Sequence, residues 1–327
     1  MALSTGATST TTIEDLHPDV LAGALRRMDG PTLAAVGCST SLFRSLSADP
    51  SIWADLCLEA WPSLRLLPTF ASLSPRSIFA DTFPFPDTDT ITHTVSSSFN
   101  NAEPSSPSTE KLSLPDRVFS AVDIHYEGVP IFSRIAETNV SCPWFLGSVF
   151  RIDALDRKDP PAPSKPMPAA INPAGLELSW AVIDAGAGRA VNVSSRRPVA
   201  VDRHWYTGEA LVRFVTVLSG CAVSVVVTCG EEAGHVREVT MTVEDVDGIA
   251  VSGKESLGIL TAAMQGRKKR KGNGEGEEQA KRRYEDYLKK KRMRKERKVR
   301  REGILDLCCT GFGALVFLAF LMLLAFK

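Results

Sequence analysis

The chain has no Cys-x-x-Cys pair. Its seven cysteines stand at 38, 57, 142, 221, 229, 308 and 309, and an odd, unpatterned set argues against a disulfide framework and for a reducing, cytosolic compartment. Metal-ligand spacing is missing, so no metal or cofactor is expected. The glycines of Asp184-Ala-Gly-Ala-Gly188 come without the lysine and following helix of a phosphate loop. Five histidines (17, 93, 125, 204 and 235) are isolated from any nucleophile motif. The densest polar cluster, Asp202-Arg203-His204-Trp205 after Ser194-Ser195, reads as strand-end polar residues. A Ser/His/Asp site there is the lesser alternative, and no enzymatic activity is expected. The first residues carry neither a basic n-region nor an apolar h-region, so no secretory signal is expected.

Net charge is also absent, with 38 basic against 38 acidic residues, but the balance hides an asymmetry. Residues 267–301 hold 18 Lys+Arg and 6 Asp+Glu, which leaves 20 basic and 32 acidic residues elsewhere. The body is acidic and the tail basic.

Composition divides the chain into six stretches. Residues 1–12 are Ser/Thr-rich and read as disordered. Residues 13–62 carry apolar residues spaced for three short helices. Val20, Leu21, Ala24, Leu25 and Met28 form a buried-face stripe, with Pro18 at the first helical position and Asp29-Gly30-Pro31 as its stop, Gly30 near C′. A second helix, capped by Thr32, runs to Cys38 and a third from Ser39 to Leu46; Asp49-Pro50-Ser51 then breaks before Ile52-Trp53. Residues 63–115 read as a helical segment followed by a linker with Pro84, Pro86, Pro104 and Pro107.

From 116 to 265 the period changes to two. Strands are expected over Val118–Tyr126, Val129–Ile135, Trp144–Ile152, Leu176–Ile183, Ala190–Val193, Glu209–Leu218, Ala222–Thr228 and Val236–Val246. The Pro-rich 158–173 stretch reads as a loop and Ser256–Met264 as a closing helix. This pattern suggests an antiparallel sandwich or barrel. Two glycosylation sequons begin at Asn139 and Asn192; a cytosolic body makes both coincidental.

Residues 266–303 read as a basic helical stalk, with Glu277–Lys281, Glu278–Arg282, Glu285–Lys289 and Asp286–Lys290 as i,i+4 pairs. Its apolar residues are too few for a buried stripe, so it is expected to stand in solvent or on a charged surface. Residues 304–327 contain an uncharged run from Leu307 to Phe326, which as a helix spans roughly 30 Å, one hydrocarbon core. A single-pass tail anchor is expected, the body facing the cytosol because Lys and Arg precede the span. The endoplasmic reticulum is the membrane it suits best; a nuclear address for the basic run is the alternative. Beside a membrane the run would attract anionic lipid. Only Tyr284 and Tyr287 accompany it as stacking aromatics, so nucleic acid is not an expected partner. Cys308 and Cys309 are candidate S-palmitoylation positions or simply small residues of a membrane helix.

Leu16-His17-Pro18-Asp19-Val20-Leu21, Leu25-Arg-Arg-Met28, Leu33, Val36-Gly-Cys38, Leu42-Phe43-Arg44-Ser45-Leu46 and Ile52-Trp53 together resemble an F-box. That motif binds the Skp-type adaptor of Skp–cullin–F-box (SCF) ubiquitin ligases. Two departures are visible: His17 is inserted between Leu and Pro, and Phe43-Arg44 stands where many F-boxes have Trp-Arg. The extension through Trp61-Pro62-Ser63-Leu64 and the stretch Asn192-Val-Ser-Ser-Arg-Arg-Pro-Val199 resemble a group of plant F-box proteins.

The resemblance implies a non-catalytic, substrate-recognition subunit. Its adaptor-binding residues would be Leu16, Pro18, Val20, Leu21, Leu25, Leu33, Val36, Leu42, Phe43 and Trp53. Its partners would be the Skp-type adaptor with its cullin complex and an unknown protein substrate held by the β domain. The implied fold is α+β, a three-helix F-box joined to the sandwich or barrel, the charged helix and the transmembrane helix. The alternative is a tail-anchored scaffold protein with no ligase link.

Overall fold

The computed structural model describes residues 13, 16–83, 114–159, 171–231, 235–266 and 273–325. The N-terminal Ser/Thr stretch, most of the 84–115 linker, most of the Pro-rich loop and the 267–271 basic cluster lie outside the described residues, as does Phe326.

The N-terminal segment contains four short helices where the apolar spacing suggests three. They are α1 (Pro18–Leu25), α2 (Gly30–Val36), α3 (Ser41–Ser47) and α4 (Pro50–Ala60), with α5 (Pro75–Thr82) following. Most begin the same way, with a side-chain cap followed at once or nearly so by proline. His17 Nδ1 accepts from the Asp19 N–H at 3.3 Å, Asp29 Oδ1 from Thr32 at 2.9 Å and Asp49 Oδ1 from Ser51 at 2.9 Å. Ser74 caps α5. Proline is harmless in a first turn because its missing N–H would be unpaired there anyway. Asp29-Gly30-Pro31 and Asp49-Pro50 therefore open helices. The cap of α2 is Asp29 rather than Thr32, and Gly30 is buried inside its first turn rather than at a C′ position. A Cβ at Gly30 would run into the Phe79 ring of α5.

Nine strands are described: β1 (Arg117–Tyr126), β2 (Val129–Asn139), β3 (Arg151–Leu155), β4 (Leu176–Asp184), β5 (Arg189–Asn192), β6 (Ala200–Arg203), β7 (Ala210–Leu218), β8 (Cys221–Cys229) and β9 (Val236–Glu244). They form two antiparallel sheets, ordered β2-β1-β4-β5 and β3-β9-β8-β7-β6. Among the described residues neither closes on itself or on the other, so they form no barrel. The β1–β2 and β7–β8 turns place Glu127-Gly128 and Ser219-Gly220 at positive φ, the pair of conformations a two-residue hairpin with the right twist requires. The stretch expected to be a strand from Trp144 is instead α6 (Pro143–Gly147), started by a proline at its first position.

The first sheet is covered on both faces, which is why β1 is buried at seven consecutive positions. One face gives Val118, Val122, Ile124, Trp180 and Val182 to a core shared with Phe214, Val225 and Met241 of the second sheet and Leu257 and Leu260 of α7 (Gly253–Gln265). The other face gives Phe119, Ala121, Ala181 and Ile183 to the core of the N-terminal helices, with Leu25, Leu33, Ile52, Trp53 and Phe79. Helices and sheet are thus one packed body.

The last element, α8 (Asn273–Ala325), is one continuous helix of 53 residues that joins what composition separates into stalk and span. Its 284–294 stretch does not stand free. Tyr287, 3% exposed, is buried against Val215 and Ala222 on the outer face of the second sheet, with Tyr284, Leu288, Val217 and Val246 around it.

Candidate docking site on the N-terminal helices

The sequence-selected residues divide into three sets. Leu21, Leu25, Leu33 and Trp53 are 3% exposed or less and build the interior of the helical module. The Trp53 indole N–H donates to Ser47 O at 2.7 Å, and Arg76 lies over its ring. Val36, Leu42 and Phe43 are half-buried; Val36 and Phe43 lean on that interior. Leu16 (44% exposed) and Val20 (59%) are open to solvent, and Pro18 between them is exposed as well. Ile13, which motif matching does not single out, is 60% exposed and extends the open apolar strip. Its i−3 spacing to Leu16 is the signal that could have found it.

These exposed side chains sit on a rigid mount. The interior of the module is already filled, and among the described residues nothing covers Ile13, Leu16 and Val20. The inserted His17 is the N-cap of α1, so the insertion adds a cap without breaking the helix.

The mount is locked to the first sheet by buried polar bonds. Trp61 Nε1 donates to Ser179 Oγ at 2.8 Å. Ser63 donates its backbone N–H to Asp123 Oδ1 at 2.9 Å and its hydroxyl to Asp123 Oδ2 at 2.5 Å. Asp123 is fully buried in β1, and burial pushes its carboxyl up to about 6 despite the Ser63 and Ser133 hydrogen bonds that oppose the rise. Arg189 of β5 pairs with Asp81 of α5 at 2.8 Å and donates to Met264 O of α7, tying three elements together.

His204 and the serines that precede it in the chain are each bonded to other partners. His204 Nδ1 accepts from the Thr207 N–H in its own turn. Ser194 Oγ accepts from Trp180 N–H at 2.9 Å and donates within the sheet, and Ser195 Oγ bonds Arg197 O and Val215 N–H. Asn192 is buried, its amide donating to Ser179 Oγ, so the second sequon has no room for a glycan. The seven cysteines are unpaired thiols; burial pushes Cys57 and Cys229 up to about 12.

At the other end of the molecule, α8 is long and apolar enough to cross a membrane by length and composition. Leu307, Cys308 and Cys309 lie on it exposed, as do Phe312, Leu315, Val316, Phe317, Leu318 and Leu321.

No family model and no solved structure matches the chain. Curated relatives do. It is 36% identical over 330 residues to the probable F-box protein At2g36090 of Arabidopsis thaliana, covering 97% of this chain and 96% of the relative. It is 35% identical to F-box protein At2g27310 of the same plant (93% of this chain, 94% of the relative) and 35% identical to F-box protein At3g44326 (88% and 83%).

Proposed function

Since the chain belongs to the plant F-box proteins, we propose that it is a substrate-recognition subunit of an SCF-type ubiquitin ligase, held at a membrane. The observation that carries the reading is the open strip Ile13, Leu16, Pro18 and Val20 at the entry of α1. It coincides with the opening of the F-box motif and lies on a module whose own interior is complete. Isolated surface apolar residues need no explanation, but a strip at the recognised motif reads as a contact surface. The half-buried Val36, Leu42 and Phe43 are the second part of the docking set. Leu21, Leu25, Leu33 and Trp53 support it from beneath.

Docking is tested by co-purification of the full chain with a Skp-type adaptor. Leu16→Asp combined with Val20→Asp is expected to lower capture at least tenfold with little change in thermal stability, because both side chains are exposed. Capture at the wild-type level would sink the docking reading and leave the scaffold reading in its place. Leu21→Ala is the contrast: it empties a buried site and is expected to destabilise by about 2–5 kcal/mol.

Membrane attachment rests on the apolar half of α8, whose large side chains have no protein cover among the described residues. In water that surface would drive aggregation; in a bilayer its main-chain bonds are already satisfied. The Lys/Arg-rich half that precedes it favours the cytosolic face, and the endoplasmic reticulum is the proposed membrane. Resistance of the full chain to alkaline extraction, with the body digestible by protease added to sealed microsomes, is the expected result. Release into the supernatant would refute attachment. The β sheets, with the exposed Trp205–Tyr206 pair at the β6–β7 turn, are left to hold the substrate.

A further inference from the structure

Lysine is distributed very unevenly. None occurs in the first 110 residues, where all the basic side chains (Arg26, Arg27, Arg44, Arg65 and Arg76) are arginine. Lys111, Lys158, Lys165 and Lys254 are the only lysines before Arg267, whereas nine lie between 267 and 301. Charge alone does not explain this, since either cation serves a solvated surface. The two differ in chemistry: the guanidinium stays protonated and is no nucleophile, while a lysine amine releases a proton and attacks acyl groups.

On the proposed reading, a subunit that brings activated ubiquitin to its substrate is itself the nearest protein to that acyl donor. Its own amines therefore compete at high effective concentration. We infer that ubiquitin acceptor sites on this chain are concentrated in the stalk half of α8, at Lys281, Lys289, Lys290, Lys295 and Lys298, against two exposed lysines, Lys158 and Lys254, described in the body. The module that carries the docking strip offers no acceptor at all.

The geometry separates acceptor from non-acceptor lysines within the stalk. Lys289 and Lys290 are exposed. Lys289 follows Tyr287 by two residues, about 200° around the helix, and so points away from the sheet on which Tyr287 is buried. It pairs with Asp286 at 3.6 Å, with both side chains open to water. Lys291 is different: its amine is held by Glu244 at 2.8 Å and lies 5.9 Å from the Tyr287 ring. Lys295 and Lys298, past the Arg294–Asp247 pair, are exposed again. The five acceptors stretch over about 26 Å of helix, and Lys298 stands roughly 14 Å before Leu307.

In the reaction, a neutral lysine amine attacks the thioester carbonyl of a ubiquitin-charged conjugating enzyme. The C–N isopeptide bond forms, the C–S bond breaks, the enzyme's thiol is regenerated and the amine's proton passes to solvent.

The inference rests on the ligase reading, so the test measures the two separately. Full-length chain in detergent or liposomes is combined with adaptor, cullin complex, activating enzyme, charged conjugating enzyme and ubiquitin, and conjugates are mapped by mass spectrometry. Most conjugates are expected on Lys281, Lys289, Lys290, Lys295 and Lys298, with Lys289 and Lys290 at least fivefold above Lys291. The variant with Lys→Arg at those five positions keeps the charge. It is expected to retain adaptor binding and lose at least nine-tenths of its self-conjugation. A bound adaptor with conjugates mainly on Lys158, Lys254 or any position outside the five overturns the inference alone, as does a bound adaptor with no conjugates. Failure to bind adaptor overturns the ligase reading and this inference with it.

Discussion

Asp123 is a carboxylate in a place built for an apolar residue. The strand that carries it is buried on both faces, and its two oxygens are spent on Ser63. Its carboxyl is raised to about 6 by burial, against about 3.9 in an unfolded chain. The folded state therefore binds the proton more tightly than the unfolded one. The stability this group contributes is full below about pH 4 and is lost as pH rises through about 6, on the order of 3 kcal/mol across the window. Asp123→Asn removes the titration while its carbonyl oxygen still accepts from Ser63. In denaturant titrations at several pH values, the variant is expected to gain on the parent by that amount between pH 4 and 7. A constant difference would show that Asp123 is charged or neutral in both states alike. Gly30 gives a second residue-scale expectation. Gly30→Ala would push into Phe79 and is expected to destabilise by about 1–3 kcal/mol, read as a lower midpoint of thermal unfolding. Sequence alone suggested a helix stop at Gly30, because the ring that demands a missing side chain lies 49 residues further on.

Local signals proved reliable where the chemistry is local. Pro18 at a helix start, the Glu127-Gly128 and Ser219-Gly220 turns, the β7–β8–β9 meander and the α7 helix were all legible, since each is dictated by a few adjacent residues. The proline-led caps were ambiguous, because Asp-Pro marks both the end of one segment and the beginning of another. Pro143 turned an aromatic run into α6 in the same way. The split of the F-box residues into exposed and buried sets was not legible at all: Leu16 and Leu21 look alike in the sequence, yet the fold leaves one 44% and the other 3% exposed. The stalk shows the same limit. Its few apolar residues, Tyr284, Tyr287 and Leu288, are enough because they meet Val215 and Ala222, and because cations beyond them meet Glu244 and Asp247. The hydroxyl of Tyr287 donates to Asp245 O at 2.6 Å. Tyr287→Ala with Lys291→Ala is expected to release this half of α8, seen as at least tenfold faster amide exchange over 284–294 with the sheets unaffected. Unchanged exchange would mean that the docking contributes nothing to its order.

At the scale of the whole molecule, the helical module is not a separable bead. Phe119, Ala121, Ala181 and Ile183 complete its interior, and the Trp61–Ser179, Ser63–Asp123 and Asp81–Arg189 bonds have one partner on each side. A fragment ending at residue 83 leaves that apolar surface uncovered and Asp81 without its arginine. It is expected to show little helix by circular dichroism, while residues 13–266 unfold in one transition. A fully helical fragment would contradict the shared core. Continuity of α8 has a different consequence. Between the last latch at Arg294 and the apolar run at Leu307 there is no hinge, only helix, and each residue of helix turns its load by about 100° and lifts it about 1.5 Å. In an anchored molecule the count of residues in that interval acts as an angular setting. Removing one would swing the docking strip to another compass bearing around the membrane normal at almost unchanged height; removing a full turn would restore the bearing and lower the body by about 5 Å.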